Sequence, residues 1–230
     1  MTFKTIVRSA LVAGLFLLIA IATPLTGRAQ FLHPKIATKE ATIRNVVIMP
    51  AKVDVVRDSM KGPEGMAAES EELSGRVEHL VAEALEVKNV KATTAGTAPS
   101  ADGDAEQKYT VADVQARYDD LLPRIVKKRS DVKKGRFTMG DEVLNLNLDK
   151  STDAIVFIRG QGQKLTGGKK AFVALVGGAP AYLRLTISIV DARTGEVLVY
   201  TDPVYVGDPT TAKDSTLRKP IDKSLNKLPR

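Results

Sequence analysis

Hydrophobic positions in the first part of the chain follow two different periods, which predict alternating strands and helices. A continuous apolar run from Val46 to Met49 is typical of a strand buried on both faces, and Pro50 after it stops regular pairing. From Ser70 the apolar period changes to three and four residues, the pattern of one helix face. This helix stripe comprises Leu73, Val77, Leu80, Val81, Ala84 and Leu85. A strand followed by a helix is therefore predicted, and residues 87–94 suit a second strand.

A second amphipathic helix is predicted to begin at Thr110, because Thr110 and Asp113 have the three-residue offset of a capping box. Its apolar stripe comprises Val111, Val114, Tyr118, Leu121, Leu122 and Ile125. Pro123 lacks a backbone donor, so we expect it to kink or split this helix. The capping offset recurs at Thr138, which predicts a short third helix ending near Asn147, although residues 144–148 also alternate like a strand.

Two segments rich in helix and strand breakers lie between these elements. Residues 57–69 contain Gly and Pro and are predicted to form a loop. Residues 95–107 are small and polar, which indicates a mobile loop open to proteolysis.

The last third of the chain carries the clearest strand signals. Residues 153–162 and 183–190 are rich in strand formers, and residues 196–200 continue the pattern after a short connection. In that connection Asp191 can accept backbone hydrogen bonds, and Gly195 can adopt a positive φ. A hairpin with a type I turn and a glycine bulge is therefore predicted.

A short amphipathic helix is predicted at the C-terminus, with Pro220 early in it; its apolar residues are Leu217, Ile221, Leu225 and Leu228.

The order of these elements predicts an α/β fold: a mixed β-sheet flanked by helices, ending in an antiparallel hairpin and a short C-terminal helix. We expect residues 45–206 to form a single α/β domain, preceded by an extended lead-in at residues 30–44. The C-terminal helix and tail occupy residues 207–230.

Residues 1–29 have the pattern of a secretory signal. Lys4 and Arg8 give a positive start, an apolar stretch follows, and small residues precede a cleavage site after Ala29. The alternative is a retained membrane anchor, but the apolar stretch is shorter than the roughly 20 residues of a spanning helix. Export through the Sec route to the periplasm is therefore predicted.

Charge and cysteine content narrow the classes of partner. Removing Lys4, Arg8 and Arg28 with the signal lowers the formal net charge from +7 to +4, which argues against nucleic-acid binding. The sequence contains no Cys, so the chain has no disulfide and cannot carry a lipid on an N-terminal Cys. We therefore do not expect a lipoprotein.

Motifs for catalysis, metal binding and cofactor binding are weak or missing. The two histidines, His33 and His79, do not stand at a metal-ligand spacing, and no Ser lies in a nucleophile elbow. The Gly-rich residues 160–170 fail the phosphate-loop pattern. Adjacent carboxylates such as Asp119 and Asp120 diverge on a helix. No enzyme, cofactor or metal site is predicted, and a hydrolase built from scattered residues is the remaining alternative.

Two segments are candidates for contacts with other molecules. The basic residues 127–136 suit either a solvated helix end or a docking patch for an anionic surface. Residues 167–180 are apolar where a connection is expected to be polar. They either pack on the sheet or contact a partner or membrane, and the candidate contact residues are Lys169, Lys170, Phe172, Val173, Leu175 and Val176.

The segments NVVIMPAKVDV, FTMGDEVLNLNLDKSTDAIVFIRGQG and RLTISIVDARTGEVLVYTD, in this order, resemble a superfamily of bacterial envelope proteins. That superfamily contains the curli-secretion channel subunit, the Pel-type polysaccharide-export lipoprotein, the lipoprotein activators of penicillin-binding proteins, and the TolB amino-terminal domain. The resemblance covers roughly residues 45–205. Asp153 lies before the middle strand and the D-x-x-T-G-E turn lies in the final hairpin, as in the family.

The resemblance implies a small domain that acts by contact, often as a ring or an accessory subunit. Envelope proteins, a second copy of the chain and a membrane surface are the partners that it implies. Residues 167–180 occupy the place of the channel's membrane hairpins but are too short for two spanning strands of about 9–11 residues each. We expect a non-enzymatic accessory module, with a self-assembling ring that contacts the membrane as the alternative.

Overall fold

A mixed sheet crosses the molecule and carries helices on both faces in a computed structural model, as the sequence predicts. The structure describes residues 30–95 and 111–228, except residues 141, 142, 144, 145 and 147. The predicted signal at residues 1–29, the predicted loop at 95–107 apart from Ala95, and the predicted cap at Thr110 lie outside the described residues.

Nine strands are present in the described part of the chain: β1 (Gln30–Leu32), β2 (Asn45–Ile48), β3 (Lys52–Ser59), β4 (Gly62–Gly65), β5 (Lys91–Thr94), β6 (Ala154–Leu165), β7 (Tyr182–Asp191), β8 (Val197–Thr201) and β9 (Val204–Val206). The helices are α1 (Pro34–Ala37), α2 (Ala67–Glu86), α3 (Val111–Lys127), a 3₁₀ helix (Arg129–Lys134), α4 (Gly167–Val176) and α5 (Asp214–Leu225).

The long strand β6 organises the sheet. It pairs antiparallel with β7 along most of its length, and on its other edge it pairs parallel with β2 and then with β3. Pairing on that edge stops between Ile48 and Lys52, around Pro50, as predicted. The main path of the sheet runs β1, β8, β7, β6, β2, β5.

Alternation along β6 sends side chains into two hydrophobic clusters on opposite faces. Val156 and Ile158 belong to the first cluster, which is covered by α2 and α5. Ile155 and Phe157 belong to the second cluster, which is covered by α3 and the 3₁₀ helix. The C-terminal helix is therefore part of the packed structure, and Arg218 on α5 also donates to Glu83 on α2 across 2.7 Å.

Several local expectations differ from the structure. Residues 57–69 form the end of β3, the strand β4 and the start of α2, because an antiparallel hairpin accommodates Pro63 at a sheet edge. The segment 30–44 contributes β1 and α1, so it is part of the fold and not an extended lead-in.

The predicted helix at Thr138 does not begin there, because Thr138 forms a bridge with Glu196; Val143 and Leu146 lie in 3₁₀ turns. Helix α3 continues through Pro123, which lies on the exposed face where water can solvate the freed carbonyl. Pro220 lies in the middle of α5, not early in it.

Candidate functional site

Helix α4 gathers all six candidate contact residues on one short element. The chain leaves β6 at Leu165, and Thr166 in extended conformation begins the helix, with its carbonyl accepting the amide of Lys170 at 2.8 Å. Gly177, with φ 75°, ends it in a conformation that other residues rarely adopt.

No residue of α4 is buried, which excludes packing of this segment into the core. Phe172 is 45% exposed, Val176 is 61% exposed and Leu175 is 85% exposed. Val173 and Lys169 are half-buried. The helix therefore presents an apolar surface that no described part of the chain covers.

An ion pair attaches α4 to the neighbouring hairpin. The ammonium of Lys169 lies 3.5 Å from the carboxylate of Asp58, near the end of β3. The same carboxylate accepts a hydrogen bond from Gln163 at 3.0 Å, and the Asp58 carbonyl accepts the amide of Thr166 at 3.1 Å. Polar contacts at its first turn thus fix the helix, which leaves its apolar residues for other contacts.

Further exposed apolar side chains lie at the same end of the sheet. Met60 follows β3 and is 65% exposed. Val206 lies in β9, which pairs with the start of β7, the strand that follows α4 in the chain. Together they form the apolar end, defined as Met60, Phe172, Leu175, Val176 and Val206. Outside it, the exposed large hydrophobic residues of the described chain are Val56, Val87 and Val126.

The titratable residues considered for catalysis or metal binding have structural contacts. The Nδ1 atom of His33 accepts the Lys35 amide at 3.2 Å and caps α1, and burial lowers the pKa of His33. His79 is exposed and lies 3.3 Å from Glu83. Within the residues that the structure describes, no three His, Cys, Asp or Glu side chains form a group able to hold a metal ion.

A buried polar network at the α3 face of β6 was not anticipated from the sequence. The Nε atom of Arg159 donates to Asp119 at 2.5 Å, and the Tyr118 hydroxyl donates to Ser188 at 2.7 Å. Burial raises the pKa of Tyr118. The signal in the sequence is an Arg that directly follows the apolar run of residues 154–158 inside a strand. Asp119 and Asp120 diverge as predicted, since Asp120 lines a surface cavity instead.

A second ion pair fixes the N-terminal segment to the final hairpin. The Lys35 ammonium donates to Glu196 at 2.5 Å, and this hydrogen bond lowers the pKa of the Glu196 carboxyl. The contact joins α1 to the turn between β7 and β8 and is structural.

The described helices are each too short or too polar to cross a membrane.

Comparisons with known proteins give a coarse structural likeness. No family model and no curated protein matches the chain. Two structures of PelC dodecamers from Paraburkholderia phytofirmans are 11% identical to it, with TM-scores of 0.38 and 0.40; each comparison covers 88% of this chain and 98% or 96% of that one. A lipoprotein from Neisseria meningitidis is 11% identical, with a TM-score of 0.33, covering 80% of this chain and 94% of that chain.

Proposed function

We propose that the chain is a non-enzymatic binding or accessory module of a bacterial envelope assembly or export system, acting in the periplasm through its apolar end. The observation that carries the proposal is the exposure of helix α4. Contiguous exposed apolar patches on a folded protein mark interaction sites. The secretory pattern of residues 1–29 and the family resemblance of residues 45–205 support the envelope as the place of action.

The free energy available at this surface is large enough to support binding. Burying a fully exposed Leu, Phe or Val side chain stabilises a complex by roughly 1.5–3 kcal/mol. Leu175 is 85% exposed and contributes almost nothing to the fold itself. A partner that covers Leu175, Phe172 and Val176 therefore gains apolar burial that the isolated chain leaves unused.

Site-directed photo-crosslinking in the cells that make the protein tests this proposal. A photoreactive residue at Leu175 is expected to capture a defined envelope protein, and the additional change Phe172→Asp should abolish the product. The matched control carries the photoreactive residue at Val87, which is exposed but lies outside the apolar end. Equal products from both positions, or none from Leu175, would contradict the proposal.

The same surface also favours a second candidate, a self-assembling ring that contacts the membrane through residues 167–180. Exposed Lys170 and half-buried Lys169 lie beside the apolar residues, an arrangement that suits an anionic lipid surface. Sizing of the purified protein separates the two candidates. A monomer whose elution is unchanged by Phe172→Asp argues against the ring, and an oligomer that the substitution dissociates supports it.

A further inference from the structure

A basic groove lies on the face of the sheet that α3 covers, away from the apolar end. Two neighbouring cavities, of about 350 Å³ and about 50 Å³, share Arg124 and are lined by the C-terminal half of α3 and by residues 136–139. We call this feature the basic groove and define it by its cationic residues Arg117, Arg124, Lys127, Lys128 and Arg136.

The cations of the basic groove outnumber its carboxylates. Of the two carboxylates, Asp131 already lies 3.3 Å from Lys134 and 3.7 Å from Arg136. Across the chain that the structure describes, Arg124, Lys127 and Lys128 have no ion-pair partner. Counted over the residues that the structure describes, the groove therefore has an excess of positive charge.

The helix dipole alone does not explain this concentration of charge. Cations in the last turn of α3 complement the helix C-terminus, which accounts for Arg124 and Lys127. Arg136 belongs to a different segment, beyond the 3₁₀ helix, and lines the same cavity as Arg124. Convergence of cations from two elements indicates a site for an anion and favours the docking patch over a solvated helix end.

The segment 136–139 also presents backbone groups to the groove that are unpaired within the described part of the chain. The Phe137 carbonyl accepts the Val197 amide at 2.9 Å, and the Met139 amide donates to Gly195 at 2.8 Å. Because backbone groups alternate along an extended segment, the amide and carbonyl of Thr138 face away from this partner. Thr138 lines the smaller cavity, and neither of its backbone groups has a hydrogen-bond partner among the described residues.

We infer that the basic groove binds an extended acidic peptide segment of a partner protein. Arginine side chains bind carboxylates with two parallel hydrogen bonds, which suits Arg124 and Arg136 in the same cavity. An extended peptide supplies both the acceptor and the donor that Thr138 does not find among the described residues, as in strand addition at a sheet edge. An acidic polysaccharide supplies the negative charge but has no regular series of backbone amides to pair with Thr138. A flat anionic bilayer contacts only the rims of a groove and does not reach its lining.

Fluorescence anisotropy with a labelled hexaglutamate peptide tests the inference on the purified protein. The double variant Arg124→Gln/Arg136→Gln is expected to weaken binding by about tenfold or more, because it removes both charge-assisted contacts. The matched control Lys219→Gln/Lys223→Gln removes the same charge from exposed positions on α5 and should leave binding unchanged. Equal weakening by both double variants would overturn the inference.

A second pair of probes tests the peptide chemistry. Methylation of alternate amides of hexaglutamate keeps its charge and removes donors for the Thr138 carbonyl, so it should also weaken binding severalfold. Oligogalacturonate or phosphatidylglycerol vesicles that bind through Arg124 and Arg136 as tightly as the peptide would overturn it. Because α4 lies outside the basic groove, Leu175→Asp should leave peptide binding intact. A failure of the peptide-binding tests would not contradict the proposed function, which depends on the apolar end.

Discussion

Gly195 sits in the turn between β7 and β8 with φ 68°, a backbone conformation that other residues adopt only with strain. The Asp191 carboxylate accepts the amides of Arg193 and Thr194, each at 2.8 Å, which confirms the role predicted for it. A Cβ at Gly195 would lie 2.3 Å from the carbonyl oxygen of Gly140. The glycine is therefore required both by the turn and by the segment that packs against it.

The substitution Gly195→Ala is expected to lower the free energy of unfolding by about 2 kcal/mol or more, from the left-handed conformation and the backbone clash together. Gly75→Ala is the matched control, because Gly75 lies in the exposed face of α2 with open space at its Cβ position. The control should stabilise by about 0.5–1 kcal/mol. Urea unfolding of both variants measures the difference, and the same sign for both would contradict this account.

His33 gives the molecule a defined dependence of stability on pH. Burial lowers the pKa of His33 from its ordinary value of 6.5, so the imidazole binds a proton less readily in the native state than in the unfolded chain. The stability that this group provides is complete above 6.5 and falls as the pH drops below that value. The Glu196 carboxyl, whose pKa is lowered from 4.5, loses its contribution only at more acidic pH.

We therefore expect the free energy of unfolding to fall between about pH 7.5 and about pH 5.5, and His33→Asn to reduce this fall. Asn retains an acceptor for the Lys35 amide and does not titrate. The control His79→Asn changes the exposed histidine and should keep the fall. Denaturant unfolding across this pH range measures the free energy of unfolding. The same fall with pH in His33→Asn as in the original protein would disprove its attribution to His33.

At the scale of elements, α2 satisfies the edge of β3 through a polar stripe. The hydroxyls of Ser70 and Ser74 accept the amides of Val55 and Val53, each at 2.9 Å. The next residue of the stripe, Glu78, accepts the amide of Ala51 at 3.0 Å. Four helical residues rise about 6 Å and two strand residues about 6.6 Å, so the two spacings match. The helix thus covers a strand edge that would otherwise be open to pairing.

The substitution Ser74→Ala leaves the buried amide of Val53 without an acceptor and is expected to cost about 1–3 kcal/mol. Ser215→Ala changes the same residue type at an exposed position in α5 and should stay within about 0.5 kcal/mol of the original. Chemical denaturation measures both. Equal stability of the two variants would show that water replaces the serine hydroxyl at β3.

At the scale of the whole molecule, two hydrophobic clusters share one sheet. Neighbouring residues of β6 alternate between them, so neither cluster can lose its packing without disturbing the strand that supports the other. Residues 30–44 and the C-terminal helix also contribute buried side chains, including Ile36 and Leu217 in the first cluster. We infer that the described chain unfolds as one cooperative unit.

Leu73→Ala in the first cluster and Ile125→Ala in the second should each destabilise the protein by about 2–5 kcal/mol. In both variants, far-ultraviolet circular dichroism and tyrosine fluorescence should report one coincident transition. Leu175→Ala is the control and should leave the transition unchanged, since its side chain is exposed. Separate transitions for the two probes would indicate two independent units.

Hydrophobic periodicity determined the fold class and most of the elements, because the spacing of apolar residues depends only on which face of a strand or helix is buried. It correctly predicted β2, β5, β6, the final hairpin and the C-terminal helix. It failed where contacts with distant residues override local preference. Glu196 pairs with Thr138 in place of the predicted helix start, and β3 supports the Gly- and Pro-containing strand β4.

The same limit applies to the candidate surfaces. The sequence identified residues 167–180 as apolar and residues 127–136 as basic, and in each case it left two interpretations open. Only the tertiary structure decided that nothing in the described chain covers Leu175, and that Arg136 and Arg124 line the same cavity. Composition is a property of each segment alone, whereas exposure and convergence depend on which distant segments the sheet topology brings beside it.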